Sequence, residues 1–219
     1  IRHEIEAAPD RRITFARFME RALTEPGLGY YATSLLRPTR VGDFLTAPEL
    51  HPFFGRCVGR ALTARWVERC SPPTFRVREY GAGRGMLGET VRAGLSADGS
   101  PLASAIVWEP VDLPHRSPPD ASAPGPDAIV ANEYLDALPV HRLVVEGGVL
   151  REAWVTWADD RFGWVAGDLS APSLLEPVLA ASVELREGQS LEVRPAVTAW
   201  VAEVARATPR GPVLVIDYG

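Results

Sequence analysis

At 219 residues the chain has room for one large domain, or a domain with an added lobe, and for a sizeable buried core. Its 46% apolar and 23% charged composition is that of an ordinary soluble globular protein, and no apolar run approaches the roughly 20 residues that span a bilayer. A net charge of −5 gives extended binding to a nucleic-acid backbone no electrostatic support.

The N-terminal residues Ile1-Arg2-His3-Glu4-Ile5 carry no apolar signal core. Cys57 and Cys70 make neither a disulfide framework nor a metal-ligand cluster, so no metal is expected, and a reducing cytoplasm is the simplest setting. Phe15, Phe18, Met19, Ala22 and Leu23 recur at helical spacing after Thr14, a suitable N-cap, and Pro26-Gly27-Leu28-Gly29 ends that helix. Tyr30 to Leu50 has no clean period and is expected to be a long loop. Phe54, Val58, Ala61, Leu62 and Trp66 then form one stripe of a second helix from Pro52 to about Trp66, closed by Pro72-Pro73.

Phe75-Arg76-Val77-Arg78-Glu79-Tyr80 is a predicted strand, Met86 to Leu95 a helix, Ala105 to Trp108 a short strand, and Asp127 to Ala131 a third strand, apolar through its centre as in a sheet covered on both faces. This alternation predicts an α/β fold with a mostly parallel sheet. Pro110 to Asp127 is rich in Pro, Ser and Ala and poorly suited to helix. Leu143 to Val165 alternates apolar and polar residues around Gly147-Gly148 and Asp159-Asp160, as an inserted antiparallel hairpin or meander would. Trp154, Trp157 and Trp164 are expected to pack that lobe. A helix follows from about Pro195 to Arg206, and Val213 to Tyr218 is a final strand.

The chemistry concentrates in Glu79-Tyr80-Gly81-Ala82-Gly83-Arg84-Gly85, between a strand and a helix. Glycines there permit positive φ and keep Cβ atoms away from a ligand, and the helix start offers free N–H groups. A plain strand-to-helix turn would need no ligand. A dinucleotide site spaces its glycines G-x-G-x-x-G to seat a pyrophosphate, whereas Met86 stands here at the third glycine's place. S-adenosylmethionine has no phosphate but carries a sulfonium and an amino-acid tail, which suit a loop headed by the carboxylate of Glu79.

Four motifs in order, Gly42-Asp43-Phe44-x-Thr46-Ala47-Pro48-Glu49, Glu79-x-Gly81-x-Gly83-Arg84-Gly85, Ala131-Asn132-Glu133-x-x-Asp136-Ala137-Leu138-Pro139-Val140 and Ile216-Asp217-Tyr218-Gly219, resemble the MidA family. Gly29-Tyr30-Tyr31 and Phe54-Gly55 also fit, so the likeness runs from about Ile13 to Gly219. This is the family of the mitochondrial complex I assembly-factor arginine methyltransferase and its bacterial relatives. The resemblance implies a Rossmann-like class I methyltransferase sheet with an N-terminal helical extension, binding S-adenosylmethionine, and for the mitochondrial members a protein-arginine substrate. Residues 1–71 would form the extension and an active-site loop, 72–142 with 208–219 the cofactor-binding core, and 143–207 the inserted lobe.

Three departures stand out. His51 replaces a usual serine, the segment after Asp112 is proline-rich where the family has a helix, and the family continues beyond Asp-Tyr-Gly, so C-terminal strands are expected to be missing. That would leave the last strand as an exposed edge, open to a partner chain such as a second copy.

The residue roles follow. Asp112, or failing it Glu109, would accept hydrogen bonds from the ribose hydroxyls, as an acid does roughly 20 residues on in dinucleotide folds. Asn132, counted with Glu79 and the glycines among the cofactor-binding residues, and Glu133 follow the third strand at the sheet edge where ligands sit in open α/β folds, although Asn132 could equally cap a turn. Glu133, with Asp43 or Glu49, would hold a guanidinium through paired hydrogen bonds. His51 is read as a helix-start residue. A small-molecule methyltransferase and a non-catalytic cofactor-fold scaffold remain as alternatives.

Overall fold

The computed structural model describes residues 1–34, 47–112, 124–182 and 184–218. Asp43, with Gly42, Phe44 and Thr46 of the first motif, lies outside them, as do most of the proline-rich stretch after Asp112 and the terminal Gly219. In chain order the elements begin with α1 (Arg2–Ala7), β1 (Arg12–Thr14), α2 (Phe15–Thr24), α3 (Tyr30–Ser34), α4 (Ala47–Leu50) and α5 (Pro52–Glu68). Next come β2 (Phe75–Tyr80), α6 (Met86–Ala97), α7 (Leu102–Ala105), β3 (Ile106–Val111) and β4 (Ala128–Asn132). The rest are β5 (His141–Glu146), β6 (Val149–Ala158), β7 (Arg161–Gly167), α8 (Glu176–Ala181), β8 (Ser190–Val193), α9 (Pro195–Ala207) and β9 (Val213–Ile216).

By internal contacts the chain divides into two units, residues 1–33 with 138–200, and residues 34–137 with 201–219. The second unit holds a four-stranded, all-parallel sheet in the order β3-β2-β4-β9. Phe75, Val77, Ala128 and Val130 from the strands bury against Val58, Leu62, Leu87, Val91 and Leu95 of α5 and α6. Burying each large aliphatic or aromatic side chain contributes about 1.5–3 kcal/mol, so this one face holds the sheet and its two helices together. The continuous burial of β4 is the reason its sequence has no alternation.

The first unit is an antiparallel five-stranded sheet, β1-β6-β5-β8 with β7 added to β6. Ile5, Ile13 and Val155 form one small core, and Leu143, Leu174 and Val193 another. Glu152 is fully buried in this sheet, where its carboxylate accepts from His141 Nδ1 at 2.8 Å and from Ser170 N at 2.6 Å. Trp154 donates to Asp168 O at 3.0 Å, while Trp164 stays half exposed beside Phe15, with ring centres 5.0 Å apart.

Several expectations are refined. The Thr14 cap is present, its hydroxyl accepting from Arg17 N at 3.1 Å. The aperiodic segment Tyr30 to Leu50 is not loop at its ends: α3 and α4 are helices too short to show a period. β3 runs on to Val111 through Pro110; as an edge strand it pairs on one side only and tolerates a residue without N–H. β9 stops at Ile216, because Asp217 turns its side chain to another loop. The N-terminal helices do not form one piece with residues up to 71. β1, three residues long and invisible to any periodicity argument, pairs with β6 and ties the first 33 residues to the antiparallel sheet.

Candidate functional site

The parallel strands β2 and β4 end side by side, and the chain leaves each by a strained turn. After Tyr80 the backbone passes Gly81, Gly83 and Gly85 at φ of +70°, +53° and +79°, the left-handed region that side chains disfavour. Among the described residues, a Cβ at Gly85 would meet nothing within 4 Å, and one at Gly83 only the carbonyl of Gly81 at 4.0 Å, so none of them fills the space over this turn. Gly81 differs: a Cβ there would come within 2.9 Å of the Tyr134 ring, which lies across the turn and near Tyr80, ring centres 5.7 Å apart. Gly85 is also the N-cap of α6 and supplies no side chain to that helix start.

Glu79 precedes the turn, and its carboxylate is buried. Burial pushes it up to about 7; the Trp108 indole N–H, donating to Oε2 at 2.6 Å, opposes that shift, and the negative charge of Asp112 adds to it. A carboxylate so desolvated is a receptor for a cation.

The two ribose candidates separate in space. Asp112 follows the last residue of β3, and its Oδ2 accepts from Gly83 N at 3.1 Å, within the glycine turn itself. Glu109 sits in the body of β3, opposite Arg78, and its carboxylate receives Arg76 at 3.0 Å and Arg78 at 3.3 Å.

At the end of β4, Glu133 is the one residue of its loop with positive φ, +49°, an unusual conformation for a side chain of its size. Its N–H donates to Ile216 O at 2.8 Å, extending the β4–β9 ladder by one bond. Asn132 Nδ2 lies 3.5 Å from Glu133 Oε1, and Asn132 Oδ1 is buried with no donor among the described residues. A buried acceptor left unmade is costly and draws a ligand N–H.

Sequence reasoning gave Asp217 no role. In the structure its Oδ2 accepts from Leu135 N at 2.8 Å and Asp136 N at 3.3 Å, while Oδ1 accepts from Tyr218 N at 2.9 Å. The end of β9 therefore clamps the loop that carries Asn132 and Glu133. Tyr80, Tyr134 and Trp108 were also missed, since nothing in their spacing sets them apart from core aromatics. The Tyr80 hydroxyl donates to Glu203 of α9 at 2.8 Å, and burial raises both tyrosines, Tyr80 to about 12. Of the remaining expected residues, Glu49 is on α4, which packs against α5 and α6, and Asp43 is not among the described residues. His51 caps α5, its Nδ1 accepting from Phe53 N at 3.0 Å.

Comparison with known proteins bears on this geometry. The chain is 28% identical to the mitochondrial protein arginine methyltransferase NDUFAF7 homolog of Drosophila melanogaster, over 94% of its own length and 57% of that protein's. It is 25% identical to the corresponding mitochondrial protein of Mus musculus, over 94% and 56%. The chain thus spans about half the length of the curated relatives it matches. The fold matches a crystal structure from Burkholderia thailandensis bound to S-adenosyl-homocysteine, with a TM-score of 0.77 at 28% identity, covering 100% of this chain and 61% of that one. A native crystal structure of a COG1565 superfamily protein from the same organism matches with a TM-score of 0.75 at 29% identity, covering 100% of this chain and 59% of that one. The expected cytoplasmic setting does not stand, because these curated relatives are mitochondrial proteins by name. No helix among the described residues is long and apolar enough to cross a membrane. Residues 88–219 match the family described as "Putative S-adenosyl-L-methionine-dependent methyltransferase", and with more than half its length covered the chain belongs to that family of Rossmann-like α/β proteins, as its motifs led us to expect.

Proposed function

We propose that this chain holds S-adenosylmethionine at the edge formed by β2 and β4, and that the protein it belongs to transfers methyl to an arginine side chain of another protein. The observation that carries the cofactor half is the desolvated Glu79 carboxylate heading three left-handed glycines, two of which, Gly83 and Gly85, have no side chain of the described residues within 4 Å of where a Cβ would stand. A cationic amino-acid tail relieves that carboxylate, and a backbone without Cβ atoms lets it approach. Asp112, beside the glycine turn, is the acid we assign to the ribose hydroxyls; Glu109, which receives two arginines, is the second choice. When bound, the cofactor supplies a methyl group already activated on a sulfonium.

The residues of this chain then bind and orient. An arginine acceptor is cationic at all practical pH values and presents a planar fork of donors. Asn132 Oδ1 and the Glu133 carboxylate offer acceptors at neighbouring positions, and the left-handed turn at Glu133 is held by β9 and Asp217. Holding the guanidinium in one orientation is the main service a protein renders to a displacement of this kind. Glu49 and Asp43 are the further acids we assign to the acceptor side. The arginine assignment leans on what the Drosophila and mouse relatives are named for.

Calorimetric titration with S-adenosyl-homocysteine tests the cofactor half. The chain is expected to bind it and not NAD, and Gly83→Val is expected to weaken binding while the fold is retained. Unchanged affinity in a folded Gly83→Val protein, or tight NAD binding, overturns the assignment. The acceptor half needs methyl transfer by the full-length protein, with modified arginine identified by mass spectrometry; a product methylated elsewhere refutes it.

A further inference from the structure

Trp108 stands where β3 passes the end of β2. Its indole is buried, and its Nε1–H donates to Glu79 Oε2 at 2.6 Å. Among the described residues this is the one hydrogen bond that the Glu79 carboxylate receives. α6 makes room for the ring: a Cβ at Gly88 would fall within 2.6 Å of Trp108 Nε1. An aliphatic residue in β3 would bury as well and bring no polar group, whereas a buried indole N–H requires an acceptor. The acceptor it finds is the carboxylate that heads the glycine turn.

We infer that Trp108 is a positioning residue of the cofactor site: it fixes one oxygen of Glu79 and leaves the other to receive the ammonium of the cofactor's amino-acid tail. The inference rests on the cofactor reading above and adds a residue to it. Trp108 does not touch the cofactor in this scheme; it acts through Glu79.

The contact also sets when Glu79 is charged. Burial raises its carboxyl to about 7, Trp108 lowers it by bonding to the ionised form, and Asp112, past the end of β3, raises it. Among the described residues the other elements packed here bring no charge to this point: α6 brings Gly88, and β4 brings Val130 in register with Glu79. Losing the indole N–H therefore moves the ionisation of Glu79 upward, toward less carboxylate at neutral pH. A purely structural tryptophan would alter thermal stability and leave the pH dependence of binding where it was.

The test is calorimetric titration with S-adenosyl-homocysteine, from about pH 6 to about pH 9, for the parent chain, Trp108→Phe, Gly88→Ala and Glu79→Gln. The ligand's own α-amino group loses charge toward the alkaline end of this range in every case, so each variant is read as its ratio to parent at the same pH. Parent affinity is expected to rise through about pH 7, where Glu79 ionises. Trp108→Phe should bind about fivefold more weakly near pH 7 and within about twofold of parent near pH 9, where the carboxyl is ionised in both proteins. Gly88→Ala keeps the indole but pushes it off Glu79, and should reproduce that shift, so the inference does not hang on one variant folding. Glu79→Gln should abolish the rise. If Trp108→Phe and Gly88→Ala bind with parent-like pH profiles, Trp108 does not act through Glu79 and the inference is wrong. If Glu79→Gln keeps the rise, another group titrates and the inference also fails. A parent chain that binds no S-adenosyl-homocysteine at any pH overturns the cofactor reading instead, and the inference with it.

Discussion

Burying Glu79 without a cation works against folding. Its carboxyl is raised from 4.5 to about 7, so the folded chain holds a proton that the unfolded chain releases between those values. The contribution of Glu79 to stability is accordingly greatest below its unfolded value and is lost as pH rises through about 7. Glu79→Gln removes that penalty and keeps an acceptor for Trp108. We expect it to stabilise the ligand-free protein above pH 7 by on the order of 2 kcal/mol, seen as a higher melting temperature, and at the same time to weaken S-adenosyl-homocysteine binding. A variant both less stable and equally tight in binding would contradict this account. The neighbouring acid is tested the same way. Asp112→Ala should cost about 1.5–3 kcal/mol of cofactor binding if its carboxylate bonds the ribose. Glu109→Ala should act mainly on stability by freeing Arg76 and Arg78. A larger binding loss from Glu109→Ala would exchange their roles.

One element, the loop from Asn132 to Asp136, is held by a different strand from the one it leaves. Ile216 O and the Asp217 carboxylate take three of its backbone N–H groups, and with them the left-handed conformation of Glu133. Asp217→Ala is expected to leave β4 and β9 paired through Ile129–Asn132 while releasing the loop. Methyl transfer by the full-length protein should then fall at least about tenfold, with cofactor affinity changed by less than about threefold, because Glu79, the glycine turn and Asp112, which we propose hold the cofactor, lie at the ends of β2 and β3. Glu133→Gly relieves the strained φ and removes the carboxylate together. It should raise stability slightly and still abolish transfer. Equal activity of parent and Asp217→Ala would show that the clamp does not serve the acceptor side.

Across the whole molecule, acid stability is set in the antiparallel sheet. Burial pushes the Glu152 carboxyl up, but hydrogen bonds from His141 and Ser170 outweigh it and hold the group below its usual 4.5. A lowered carboxyl contributes stability that is complete above the unfolded value and is lost as pH falls through the folded one. Melting temperatures should therefore drop as the pH is taken below about 4.5, and Glu152→Ala, which takes the acceptor from His141 and Ser170 N, should cost about 1–3 kcal/mol at neutral pH. Cofactor binding adds to stability by mass action. At a hundred times its dissociation constant, S-adenosyl-homocysteine should contribute about 2.7 kcal/mol, readable as a rise in melting temperature. The Glu152→Ala protein should show the same increment, since Glu152 and the glycine turn lie in different units.

The sequence by itself determined the parallel core and the place of its chemistry. An unbroken apolar run, a strand followed at once by three glycines, and a capped amphipathic helix are local features, and β2, α6, β4, α5 and α2 appear where those features put them. Glu79, the glycines and Asn132-Glu133, on which the proposed site rests, stand at strand ends and turns, and these are written in consecutive residues. What depends on partners distant in the chain was not legible. β1 is three residues long and exists through its pairing with β6, so the N-terminal segment could not be assigned to the antiparallel sheet. The choice between Asp112 and Glu109 turned on which acid meets Gly83 and which meets Arg76 and Arg78, which is a matter of register between β2 and β3. Trp108 and Asp217 look like core and tail in the sequence. The first comes to bond Glu79, 29 residues away, and the second Leu135, 82 residues away, because parallel pairing brings strand ends together that the chain keeps apart.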